Sequence, residues 1–199
     1  MDFNIDYILE DQIIFLRPLE LSDFDHLKEY SVQEPDIWEY SLMGAEGEEN
    51  LKTYLKTAID NRQKKKEYPF IVFDKRVKKY IGSTRFYDVQ LENETIQLGF
   101  TWYGKKYQGT GINKHCKYLL LEFAFEKLNM KRVEFRANAK NERSIQAMKS
   151  IGCTVEGILR NNVVASNGNR RDTIVLSILQ EEWSNGIKQE LAKKLIPAT

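Results

Sequence analysis

Glu94-Thr95-Ile96-Gln97-Leu98-Gly99-Phe100-Thr101-Trp102-Tyr103 alternates like a strand, and Tyr107-Gln108-Gly109-Thr110-Gly111-Ile112-Asn113 follows it as a glycine-bearing turn. Beyond the turn, Ile112, Cys116, Leu119, Leu120, Phe123 and Leu128 mark a wide apolar helical face, with Asn129 as a stop. The spacing therefore predicts a strand, a tight turn and a helix buried against a sheet. Gly109 and Gly111 let the backbone approach a ligand, and the first turn of the helix offers unpaired N–H groups and the positive end of its dipole. A phosphate or pyrophosphate suits such a turn. A helix that merely begins after glycines is the competing reading, and the residues alone leave the two open. A Walker loop needs Gly-Lys-Ser/Thr and a dinucleotide fingerprint needs a longer glycine pattern in a parallel βαβ unit. Neither is present.

Working outward, Ile13-Ile14-Phe15-Leu16 reads as a first strand stopped by Pro18, and Ser22 as the N-cap of a short helix through about Tyr30. Leu51, Leu55 and Ile59 recur every four positions in a helix spanning about Glu46 to Lys66, ending in the solvated run Lys64-Lys65-Lys66. Phe70-Ile71-Val72-Phe73, Lys79 to Val89 and Thr95 to Tyr103 then form an antiparallel meander. On the far side of the glycine turn come a strand at Arg132-Val133-Glu134-Phe135-Arg136 and a helix from Asn141 to Ser150 ended by Gly152. Strands at about Thr154 to Val164 and Asp172 to Leu179 follow, joined by a hairpin at Ser166-Asn167-Gly168-Asn169, and a charged helix closes the chain. The whole is expected to be one α+β domain.

The 199 residues contain 42% hydrophobic residues, enough for a sizeable core. Thirty basic against 29 acidic residues give a formal charge of +1, which favours neither nucleic acid nor an anionic membrane. The Met1-Asp2-Phe3-Asn4-Ile5-Asp6 start lacks the basic and apolar regions of a signal peptide, and no apolar run reaches membrane-spanning length, so a cytoplasmic protein is expected. Cys116 and Cys153 read as buried free thiols, and His26 and His115 as partly exposed helix residues without partners for a triad or a metal site. No metal is expected.

Gln108-Gly109-Thr110-Gly111-Ile112, with Asn141-Glu142-Arg143-Ser144, Gly152 and Glu156-Gly157, resembles the GNAT acetyltransferase superfamily, and within it the ribosomal-protein N-acetyltransferases of the RimJ/RimL type. Leu16-Arg17-Pro18-Leu19, Arg171-Asp172, Ile178-Leu179 and Glu182-Trp183 extend the likeness, which runs from about Phe15 to Trp183. It implies a GNAT-type α/β sandwich, with a mixed, mostly antiparallel sheet flanked by helices and a splay between the central strands. It also implies one N-acetyltransferase domain over residues 1–199, its core at about 13–183 and a C-terminal helical extension beyond.

The resemblance implies that acetyl-coenzyme A is the cosubstrate. Its pyrophosphate would lie on the backbone N–H groups of Gln108, Gly109, Thr110, Gly111, Ile112 and Asn113, with Lys106 standing where the family has Gln or Arg. Its pantetheine would run in the splay beside Trp102 and Tyr103, with Trp102-Tyr103-Gly104 as the bulge; an ordinary strand end is the other reading of that tripeptide. Asn141 reads by itself as an N-cap and Ser144 as a first-turn residue. In similar enzymes the matching asparagine contacts pantetheine and the matching serine, the catalytic candidate here, hydrogen-bonds the departing sulfur.

Many relatives carry Glu where Gln97 stands, and glutamine takes no proton. An α-amine of pKa about 7.8 is roughly a third neutral at pH 7.5, against about one in a thousand for a lysine at about 10.4. That difference, about 3.5 kcal/mol, favours an N-terminal or other low-pKa amine, with water as the proton acceptor. The acceptor is therefore expected to be a primary amine, by preference a protein or peptide N-terminus. A small amine (polyamine, amino acid or aminoglycoside) is the first alternative, and a non-catalytic acyl-coenzyme A binding module the second. Trp38, Tyr40, Arg85 and Phe86 are candidates for lining the acceptor groove or covering the core. Glu29, Glu34, Asp36, Glu39, Glu46, Glu48 and Glu49, in a stretch with no basic residue between Lys28 and Lys52, suggest an acidic acceptor side. Similar enzymes are often homodimers.

Overall fold

Ile14, Leu16 and Pro18 are buried while Phe15 and Arg17 are half-buried, the period-two pattern of a strand with one face on the core. The computed structural model describes residues 1–165 and 168–195. Its strands are β1 (Leu9–Glu10), β2 (Ile14–Pro18), β3 (Glu67–Asp74), β4 (Lys79–Gln90), β5 (Thr95–Tyr103), β6 (Arg132–Asn138), β7 (Thr154–Val164) and β8 (Arg170–Leu179). All eight lie in one sheet, in the order β1-β2-β3-β4-β5-β6-β8-β7. Every pairing is antiparallel except that of β5 with β6. The antiparallel meander, the mixed sheet and the splay are as expected. The hairpin at 166–169 falls partly outside the described residues.

The helices are α1 (Phe24–Gln33), α2 (Glu48–Gln63), α3 (Ile112–Glu122), α4 (Glu142–Ser150), α5 (Gln180–Glu182) and α6 (Lys188–Lys193). Helix α2 buries Leu51, Tyr54, Leu55 and Ala58. Helix α3 buries Ile112, Cys116, Lys117, Leu119, Leu120 and Leu121, and continues as a π turn over Phe123–Lys127. The two helices cover opposite faces of the sheet. Paired residues of neighbouring strands share a face, so Tyr87, Gln97, Glu134 and Ser177 lie on one side. Arg85, two residues from Tyr87, sets its guanidinium 4.6 Å from the ring of Tyr54 on α2, which identifies that side. Phe135 lies on the other, with Lys117 of α3 5.8 Å from its ring.

Local details differ from the sequence reading. Helix α1 runs to Gln33, and Ser22 does not cap it: its hydroxyl bonds the Glu20 carboxylate at 3.2 Å. The turn is organised instead by Asp23, buried to 1%, whose carboxylate accepts from the Glu20 amide and pairs with Arg17. Strand β1, too short for a periodic signal, joins the sheet beside β2. Asn129 takes a left-handed φ of 56° and ends the α3 segment as expected. Cys116 and Cys153 are buried free thiols, both pushed up to about 12 by burial.

Candidate active site

Strand β5 meets β6 only over Thr95–Gln97 and Arg132–Glu134, so Leu98–Tyr103 and Phe135–Asn138 flank a gap in the sheet. A cavity of about 580 Å³ passes through it. From the α3 side it is lined by Gly109, Gly111, Asn113, Lys114 and Lys117, and from the α2 side by Trp38, Tyr40, Tyr54, Tyr87 and Arg171. This opening joins the two faces of the sheet.

The bulge that shapes the gap is not at Trp102-Tyr103-Gly104. Ser83 faces Trp102 and Arg85 faces Gly99, so Phe100 and Thr101 together oppose Thr84. Phe100 takes φ of 48°, a left-handed conformation that a bulge imposes on a non-glycine residue. The extra residue changes the phase of the strand. Phe100 lies 4.4 Å from the Arg85 guanidinium, and Trp102 donates to the Tyr54 hydroxyl at 3.3 Å, both toward α2. Thr101 turns the other way, toward Lys117. Gly104 serves a different end: a Cβ there would meet the Tyr30 ring at 2.4 Å.

At the mouth of the gap the turn has Gly109 at φ 75° and Gly111 at φ 90°. A Cβ at either would touch nothing within 4 Å, so glycine is needed for its backbone conformation and the space above is open. Gly111 is the N-cap of α3 and supplies no side-chain cap. The Gln108 N–H, one of the expected donors, is already spent on the Lys105 carbonyl at 3.1 Å. Among the described residues, the N–H groups of Gly109, Thr110, Gly111, Ile112 and Asn113 have no such partner. The Gln108 side chain instead bridges the mouth, donating to the Tyr103 carbonyl at 2.9 Å and accepting from Arg143 of α4. Thr110 Oγ1 donates to the Tyr107 carbonyl at 2.7 Å, which holds the turn closed on itself.

Asn141 caps α4, its side chain accepting from the Ser144 N–H at 3.0 Å. That leaves the Ser144 hydroxyl on the cavity lining, with no hydrogen-bond partner among the described residues. Trp38 lines the cavity and also covers the core, 3% exposed and edge-on to Trp102 at 4.6 Å between centroids. Tyr40 lines it too, its carbonyl accepting from Arg171 at 2.6 Å. Phe86 does not: it is fully buried between Phe70 and Phe123. Arg85 lies behind the lining, 1% exposed, paired with Glu67 at 2.6 Å.

No carboxylate lines the cavity among the described residues. Of the acidic residues expected on the acceptor side none lines the cavity, and four of them are used elsewhere. Glu34 accepts from the Lys105 N–H, Asp36 pairs with Lys105, Glu48 with Lys28 and Glu49 with Lys52. Gln97 does line the cavity, but its amide donates to Asp88 at 2.7 Å, and Glu134, its register partner on β6, is held by Arg132 and Arg136. Two carboxylates, Asp88 and Glu134, thus stand beside Gln97. His115 is not partnerless either, since its Nδ1 lies 2.6 Å from Asp11.

Lys117 and Arg171 were missed as site residues. Lys117 shares the buried helical stripe of Leu121 and Ala124, and that spacing is the signal that would have found it. Its ammonium bonds Thr101 Oγ1 at 2.8 Å, and burial pulls its pKa down to about 8. Burial also lowers that of Arg171, whose Nε has no partner among the described residues.

Residues 14–154, well over half of the chain, match the family described as "Acetyltransferase (GNAT) domain". The Bacillus subtilis protein "Probable N-acetyltransferase YjcK" is 27% identical over 181 residues, covering 88% of this chain and 98% of the relative. From the same organism, "Putative ribosomal N-acetyltransferase YdaF" is 28% identical over 174 residues, covering 85% and 93%. The crystal structure of a GCN5-related N-acetyltransferase from Brucella melitensis superposes with a TM-score of 0.88 at 24% identity, covering 96% of this chain and 86% of that one, a likeness of fold. With its splayed sheet, its open glycine turn and this match, the chain belongs to the GNAT family and is an acetyltransferase.

Proposed function

We propose that the protein moves acetyl from acetyl-coenzyme A directly to the α-amine of a protein or peptide. The observation that carries this is the run of N–H groups from Gly109 to Asn113, without partners among the described residues, in a turn at the mouth of the β5/β6 gap where a Cβ at Gly109 or Gly111 would meet nothing within 4 Å. The residues fit a diphosphate: consecutive amides and a helix N-terminus favour an anion, and no side chain stands in the way. Coenzyme A supplies an activated acetyl thioester. The chain's own part is to bind the diphosphate on those amides, to receive the pantetheine between β5 and β6, and to place the Ser144 hydroxyl as a donor to the leaving sulfur.

With the cofactor entering from the α3 side, the amine is left the α2 side, where Trp38, Tyr40, Tyr87 and Gln97 line the cavity. A polyamine or aminoglycoside carries several positive charges, and a lining without a carboxylate among the described residues gives them no counter-ion. That favours a single amine of low pKa, neutral often enough at pH 7.5 to attack without a strong base. A protein N-terminus fits this, and the name of the YdaF relative points the same way. The acceptor's proton leaves to water.

The test is thiol release from acetyl-coenzyme A with a panel of peptides, N-terminally blocked lysine peptides, polyamines and aminoglycosides. Release with free-N-terminus peptides and little with the rest is the expected result. Release confined to polyamines or blocked lysine peptides, or none with any amine, would refute the proposal.

A further inference from the structure

Among the described residues the sheet brings Arg136 and Arg171 to the α2 side of the cavity, while Arg143 of α4 lines it bonded to Gln108. Arg136 is already neutralised by Glu134 at 2.7 Å. Arg171 is not. Among the described residues it makes no ion pair; Nη1 donates to the Tyr40 carbonyl at 2.6 Å, and Nε is buried without a partner. Arg17, Arg62, Arg76, Arg85 and Arg132, by contrast, each hold a carboxylate. A half-buried guanidinium with an unmet donor is costly unless an anion meets it, and its planar fork matches a carboxylate.

The anion in question is not the cofactor's diphosphate. Arg171 shares a face with Thr173, whose register partner is Asn138; that face also carries Arg136 and Glu134. It is the α2 face, whereas the open amides of Gly109–Asn113 belong to the start of α3 on the other. Arg171 is fixed against Tyr40, on the side left for the acceptor.

We infer that Arg171 binds a carboxylate carried by the acceptor, so that the substrate is an amine with an acidic group close by: an acidic residue near a peptide N-terminus, or the α-carboxylate of a free amino acid. This rests on the reading of the α2 side as the acceptor side and narrows the substrate class. Arg171 would determine specificity without taking part in proton or acetyl transfer.

The experiment measures kcat/KM for thiol release from acetyl-coenzyme A with matched acceptors. One arm pairs peptides differing only by Asp or Asn at the second position; the other pairs a free amino acid with its carboxamide. Wild type should prefer the acid by about tenfold to a hundredfold in one arm, through KM, as one charge-assisted hydrogen bond allows. The arm that shows it identifies the source of the carboxylate. In Arg171→Gln the ratio should fall to near one, and in Arg171→Lys, which keeps the charge and loses the fork, to an intermediate value. Loss of the Tyr40 contact alone would slow both members of a pair equally and leave the ratio, and coenzyme A binding by each variant checks its fold. Equal use of acid and amide by wild type, or a ratio untouched in Arg171→Gln, overturns the inference while the acetyltransferase reading stands. No release with any α-amine removes both.

Discussion

Lys117 Nζ lies 2.8 Å from Thr101 Oγ1, on the residue that the β5 bulge turns toward α3, and Thr101 in turn bonds Thr84 Oγ1 at 2.7 Å. A lysine only 4% exposed thus props the bulge from beneath. Because burial holds its pKa near 8 in the folded chain, the unfolded chain binds more protons between about pH 8 and pH 10.5. Stability should rise with pH across that window, the penalty being complete below it. Lys117→Met removes the penalty. The variant is expected to be more stable than wild type at pH 7 by about 1 to 3 kcal/mol, with the gap narrowing by about 1 kcal/mol at pH 9. Urea unfolding at the two pH values checks this; a less stable variant, or a gap indifferent to pH, contradicts it.

Arg85 and Phe86 should behave as structural residues. Arg85→Ala strands Glu67 and removes the guanidinium packed against Tyr54 and Phe100, at a cost of about 3 to 5 kcal/mol. Phe86→Ala opens a cavity between Phe70 and Phe123 at a similar cost. Unfolding midpoints measure both. A variant that keeps its stability and loses only acceptor affinity would return that residue to the groove.

Gly111→Ala meets no steric obstacle, so its effect isolates the backbone. A φ of 90° should cost an alanine about 1 to 2 kcal/mol, and the strain falls on the amides proposed to hold the diphosphate. The expected result is a modest loss of stability together with weaker coenzyme A binding by calorimetry. Full-strength binding in a destabilised variant would place the cofactor elsewhere.

Ser144→Ala keeps the α4 cap, because Asn141 accepts from the Ser144 backbone rather than its hydroxyl. Stability and coenzyme A binding should therefore stay near wild type while kcat falls about tenfold or more. An unchanged kcat removes the leaving-group role.

The strand, turn and helix around Gly109 and Gly111 were legible because local rules govern them: alternation, positive-φ glycines and a wide apolar stripe. So was the Asn141 cap. The bulge was misplaced because Gly104 carries the local signal for it, whereas the extra residue is accommodated at Phe100, a non-glycine whose ring lies against Arg85. The acidic stretch misled for a related reason. For Glu34 and Asp36 the partner, Lys105, is distant in sequence and close only in the fold. Arg171 was invisible as a free cation for the same cause, since what identifies it is a carboxylate it does not meet.

Backbone amide NMR during titration with acetyl-coenzyme A tests the central claim most directly. The account predicts saturable uptake, with the largest shifts at the N–H groups of Gly109, Thr110, Gly111, Ile112 and Asn113 and smaller ones along Leu98–Tyr103 and Phe135–Asn138. Absence of uptake, or shifts centred away from the β5/β6 gap, would contradict it.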